Sequence, residues 1–153
     1  MGRIYAAISP CELTSEGRRD AERLYQGLRF PDEGRLPSRS EIAAVLAAHP
    51  DWQVEFDTGK DWWTASIQSP DQFASLRVDH YSGDPARPQS FHFDTGAPDL
   101  VVDVTAAIAE GCGPFLVIDE SGGVVVLVNP DGSRSDLGMT PAGGSRPPSR
   151  VRS

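Results

Sequence analysis

The side chains best suited to chemistry are His92 and Asp94, two positions apart, with Asp79 in the preceding apolar–polar segment. One imidazole and two carboxylates can hold a divalent metal or run general acid–base catalysis. Either task needs the segments that carry them to stand in one particular register, which spacing does not supply. The other reactive residues have weaker surroundings. Cys11 and Cys112 lie 101 positions apart without metal-ligand spacing, so no disulfide scaffold is expected. Cys112 follows a predicted helix C-terminus, whereas a helix N-terminus is what lowers a thiol pKa, so it reads as a small filler in a turn. Thr58-Gly59-Lys60-Asp61 lacks the upstream glycine of a phosphate-binding loop, and no Gly-x-Ser-x-Gly elbow occurs. Asn129-Pro130-Asp131-Gly132 has turn chemistry without the ligand spacing of a calcium loop. His80 falls on the apolar side of a predicted strand, and His49, before Pro50, closes a predicted helix. The chain therefore reads as non-enzymatic, with no cofactor. The rival reading is a small metal-dependent hydrolase using Asp79, His92 and Asp94.

The elements that would position these groups follow from periodicity. Ile4 to Ile8 reads as a first strand ended by Ser9-Pro10. Thr14 and Ser15 are N-caps for a charged helix to about Leu28. Ser38-Arg39-Ser40-Glu41 has the spacing of a capping box, in which two side chains satisfy free backbone donors, and Ile42, Val45 and Leu46 share one helical face behind it. Trp52, Val54 and Phe56 alternate with Gln53, Glu55 and Asp57; Trp63, Ala65 and Ile67 with Trp62, Thr64 and Ser66; Ala74, Leu76 and Val78 with Ser75, Arg77, Asp79 and Tyr81; Phe91 and Phe93 with His92 and Asp94. Period two in four successive runs predicts a four-stranded antiparallel meander with one buried face. Pro98 opens an amphipathic helix through Leu100, Val101, Val104 and Ile108, with Gly111 as its stop. Phe115–Ile118 and Val124–Val128 form a C-terminal hairpin. This order gives an α+β fold: an antiparallel sheet with helices packed on one face.

If the apolar residues face the helices, the opposite sheet face gathers Glu55, Asp57, Trp62, Arg77, Asp79, Tyr81, His92 and Asp94. Large amphipathic rings among carboxylates suit a protein interface, where rings anchor and charges steer a basic partner. The alternative is that Trp62 packs beneath the loop 82–88 or the N-terminal segment. The charge distribution agrees with a basic partner. The chain carries 22 acidic against 14 basic residues, and the excess is central: residues 51–111 have net charge −8. That balance argues against nucleic-acid binding. At 153 residues and 39% apolar, the chain is the size of one domain, with no apolar run of the ~18–20 residues that a bilayer span needs. The start lacks a signal-peptide pattern, so a cytoplasmic location is expected. Residues 1–137 read as one domain, and 138–153, rich in Gly, Pro, Ser and Arg, as a flexible tail.

Phe91-His-Phe-Asp-Thr-Gly, followed by Leu100-Val-Val-Asp-Val and Cys112-Gly-Pro-Phe, resembles small bacterial proteins that look like immunity proteins of polymorphic or contact-dependent toxin systems. Such proteins are short, acidic, cytoplasmic α+β domains that bind and block one toxin. The resemblance spans about residues 50–128 and implies a non-enzymatic inhibitor with a protein partner; it assigns no individual residue a role. An oligomerising accessory protein using the same sheet face is the third reading.

Overall fold

The structure, a computed structural model, describes residues 4–25, 27–59, 61–79 and 84–137, with Asp79 as backbone. The expected tail at 138–153, and His80 and Tyr81, lie outside the described residues. In chain order the elements are β1 (Tyr5–Ile8), α1 (Ser15–Leu24), α2 (Arg39–Ala48), β2 (Gln53–Thr58), β3 (Trp62–Gln68), β4 (Phe73–Asp79), β5 (Phe91–Gly96), α3 (Pro98–Cys112), β6 (Phe115–Asp119), β7 (Val125–Val128) and β8 (Arg134–Asp136). The strands form one antiparallel sheet in the order β2-β3-β4-β5-β1-β6-β7-β8. This is the α+β architecture that the element order predicts. The N-terminal strand fills the centre, joining the β2–β5 meander to the C-terminal hairpin.

Alternation decides what is buried. Phe56, Ala65, Leu76 and Phe93 lie across from one another in successive strands, as do Val54, Ile67 and Ala74. Side chains directly opposite in a ladder share a face, so these rows build one apolar surface. Ile42 and Leu46 of α2 and Leu100, Val101, Val104 and Ile108 of α3 close over it. Phe56 joins this face at the sheet edge, stacks on Trp63 at 5.4 Å, and stays 45% exposed.

α1 occupies the other side. Leu116, Val125 and Leu127 alternate with residues of the main core and form a second cluster with Leu28, against which Ala21 and Tyr25 pack. The expectation that all helices share one face is thus corrected for α1. The cause is local: β6 and β7 are apolar on both sides, so each surface needs a cover. β8 is a further strand that the sequence reading lacks, because Arg134-Ser135-Asp136 is polar and exposed and carries no alternation.

The caps form as expected. Thr14 accepts a hydrogen bond from the Gly17 amide at 2.9 Å. Ser38 accepts from the Glu41 amide, and Glu41 accepts from the Ser38 amide, each at 3.1 Å. Arg35 adds two hydrogen bonds to the Glu41 carboxylate, at 2.8 and 2.6 Å, and holds that carboxyl below its ordinary value. A depressed folded-state pKa stabilises the fold above the unfolded value and ceases to do so as pH falls through the folded one. The melting-temperature advantage of wild type over Glu41→Gln is therefore expected to be full near neutrality, to shrink once pH falls below the ordinary glutamate value of about 4.3, and to be lost only as pH falls through the lower folded-state value. Thermal melts of both proteins across that range check it; an advantage independent of pH would contradict it.

Candidate binding face

The side of β2–β5 turned away from α2 and α3 carries the polar half of each alternation. Three rows cross it. Asp57, Thr64, Arg77 and His92 lie opposite one another in turn; Glu55, Ser66, Ser75 and Thr95 form the next row; Gln53, Gln68 and Phe73 pair towards the far end. Among the described residues, no helix packs over these rows, whereas Ala21 of α1 and the residues after it, Tyr25, Leu28 and Phe30, cover the β6–β7 half of the same face.

The sheet brings most of the expected residues together. Glu55 and Asp57 are exposed on the edge strand β2. Trp62, Arg77, His92 and Asp94 are half-buried and form a chain of contacts. The Arg77 guanidinium lies 5.6 Å from the centre of the Trp62 ring, a distance at which a cation is attracted to the π face. Its Nη1 is 3.9 Å from Asp94 Oδ2, and His92 Nε2 donates to Asp94 Oδ1 at 3.1 Å. Asp94 reaches His92 through a bulge. Phe93 pairs with Leu76 and Thr95 with Ser75, which leaves Asp94 as the extra residue of β5. A bulge of this kind re-aims a side chain without moving its neighbours out of the core.

Trp62 is held from below by the β2–β3 turn. A Cβ on Gly59 would fall 2.1 to 2.6 Å from three atoms of its ring, so the indole packs directly against this glycine. The φ of Gly59 is not positive, and space selects glycine here. The ring thus touches Gly59 and Arg77 and keeps part of its surface open. Residues 1–3 and 80–83, which hold part of the two segments named as alternative covers for this ring, lie outside the described residues.

Of the expected Asp79/His92/Asp94 set, His92 and Asp94 are in contact, while the side chain of Asp79 lies outside the described residues. Asp79 pairs with Trp62, and the residue directly across from His92 is Arg77. A guanidinium beside the His92–Asp94 pair adds positive charge where a divalent cation would need negative charge. Among the described residues, no three His, Cys, Asp or Glu side chains converge as a metal-ligand group. Cys112 ends α3 with its thiol buried, and burial pushes the thiol pKa up, in keeping with the filler role read for it. His49 stacks on Trp52 at 3.6 Å and accepts from the Asp51 amide, a local closure of the α2–β2 link.

Phe73 was not among the expected face residues. It pairs with Gln68 on the polar side and is 42% exposed, forming a shallow hollow of about 190 Å³ with Gln53, Glu55 and Ser66. Period two counted back from Ser75 would have found it. A larger cleft of about 540 Å³ opens between the β3–β4 turn, α3 and the start of β8. Asp51, Asp71 and Glu110 line it with Asp103, which Arg134 pairs at 2.7 Å. These residues come from separate elements, and no sequence motif joins them.

Comparison of the chain with protein-family models, with curated proteins and with solved structures gives no match. No helix among the described residues is long and apolar enough to cross a membrane.

Proposed function

We propose that this chain is a non-enzymatic binding protein that engages a basic protein partner through the β2–β5 face, as an immunity-like inhibitor acting in the cytoplasm would. The observation that carries the reading is the asymmetry of that side of the sheet. Its β6–β7 half is apolar and covered by the end of α1 and the segment that follows it, with Leu28 buried there; its β2–β5 half sets Trp62 and Phe73 beside Glu55, Asp57 and Asp94 without a described helix above it. A ring already packed against Gly59 and Arg77 loses little freedom on contact, which favours it as an anchor. Exposed carboxylates attract a cationic surface over a Debye length and raise the association rate.

The test is affinity capture from the source organism with wild-type and variant baits, followed by binding kinetics with the purified partner. The expected partner is basic, and Trp62→Ala weakens its binding by more than about 2 kcal/mol. Glu55→Gln and Asp57→Asn mainly slow association and flatten its salt dependence. A partner held equally by all four proteins would sink the reading. So would a melting midpoint raised by Zn²⁺, Mn²⁺ or Mg²⁺ and lowered again by His92→Ala, which is what the rival hydrolase requires.

A further inference from the structure

β2 is an edge strand whose outer side pairs with no other described strand. Edge strands are commonly blunted by proline, charged side chains, a bulge or short length. β2 has no proline, bulge or shortening, and its only charged side chains are the carboxylates Glu55 and Asp57: Gln-Val-Glu-Phe-Asp-Thr runs in unbroken register with β3 along its whole length. The far edge is made safe differently, since β8 has three residues only. The ladder also says which backbone groups are free to pair. The Gly59 amide donates to the Trp62 carbonyl at 2.9 Å, which makes these two a hydrogen-bonded pair. In an antiparallel ladder such pairs alternate with non-bonded ones. Glu55 and Asp57 therefore spend their amide and carbonyl groups on β3, and Val54, Phe56 and Thr58 point theirs outward.

The side chains define what this edge would accept. On one face stand the carboxylates Glu55 and Asp57; on the other, Val54 and the exposed ring of Phe56. A second copy of this chain fits poorly. The two-fold registers that pair most of β2 with itself set Glu55 against Glu55, or Glu55 against Asp57, of the second copy, and like charges directly opposite repel. An extended segment with alternating basic and apolar residues matches both faces at once.

We infer that β2 receives such a segment from the partner by strand addition, its basic side chains over Glu55 and Asp57 and its apolar ones beside Val54 and Phe56. The inference rests on the basic-partner reading for the charge of the segment and adds the mode of engagement. Backbone hydrogen bonds would supply affinity, and the alternating side chains specificity.

The probe is an eight-residue peptide of alternating lysine and valine, titrated into the 15N-labelled full chain. The expected result is that the amides of Val54, Phe56 and Thr58 shift and become protected from hydrogen exchange. N-methylation of alternate peptide amides should weaken binding at least about tenfold, since it removes the shared hydrogen bonds. Phe56→Pro, which deletes one outward amide without touching the β2–β3 ladder, should weaken it further than Phe56→Ala does. Equal binding of the methylated peptide, with shifts confined to Thr64, Arg77 and His92, would overturn strand addition while leaving the basic-partner reading standing. Equal binding of a glutamate–valine peptide at β2 would refute the basic specificity instead. Absence of any shift overturns the inference, as does a dimer of the chain that Phe56→Pro dissociates, which would make a second copy the occupant.

Discussion

Phe93→Ala is expected to destabilise the fold by about 3–5 kcal/mol, the range for removing a large buried ring and leaving part of its cavity behind. Phe93 is fully buried on β5, between Leu76 of β4 and Tyr5 of β1, with the Phe91 ring edge-on at 6.0 Å. Its neighbours are held from several sides: Phe91 meets Phe115 at 5.4 Å, and the Tyr5 hydroxyl donates to the Gly96 carbonyl at 3.2 Å. Little can move in to fill the space. The control is Phe56→Ala, the same residue type in the same cross-sheet row but at the open edge. With nearly half of its surface already in water, Phe56 should cost about 1 kcal/mol or less. Urea denaturation of both variants checks the pair. A shift in midpoint that is similar for the two would mean that the row is not graded from edge to centre as its burial says.

That gradient also explains what could be read from the residues in order. Alternation made the β2–β5 meander legible because one buried face imposes period two on every strand, and Val54, Ile67, Leu76 and Phe93 obey it together. Capping was legible for the same kind of reason, since Ser38 and Glu41 satisfy donors three residues apart. What failed to show depends on facts outside any short window. β6 and β7 are apolar on both sides, so their periodicity says nothing about which face α1 covers. Trp52, expected to alternate with Val54 and Phe56 in one strand, instead lies just before β2, half-buried on His49. The site residues were legible as a set and illegible as a geometry. Trp62, Arg77, His92 and Asp94 do share a face, but the register that puts Arg77 and not Asp79 across from His92 is set by pairing along two whole strands. The bulge at Asp94 has no marker at all, since it carries no glycine of its own.

Gly113→Ala is expected to cost more than about 3 kcal/mol, because two separate penalties of this order meet at one residue. Gly113 caps α3 at φ 96°, ψ −170°, a region that is essentially restricted to glycine. A Cβ there would also stand 2.7 Å from the Gly34 Cα and 3.1 Å from Asp32 Oδ1. The first of these is backbone, and that backbone is tied down. The Arg35 amide donates to the Cys112 carbonyl at 2.7 Å, and Gly34, itself at φ 65°, donates to Asp32 Oδ1 at 2.9 Å. Moving the loop away would break the link that carries Arg35 to Glu41 at the start of α2. Gly111 makes the contrast sharp. It is the glycine that helical periodicity marks as the stop, yet α3 continues through it to Cys112, and a Cβ on it would meet nothing within 4 Å. Gly111→Ala should therefore be neutral or stabilise by up to about 1 kcal/mol, through lower chain entropy in the unfolded state. Parallel denaturation of the two single variants decides between the glycines. If Gly111→Ala were the damaging one, the helix would end where the sequence pattern puts it, and the docking of loop 32–35 onto the end of α3 would be lost with it.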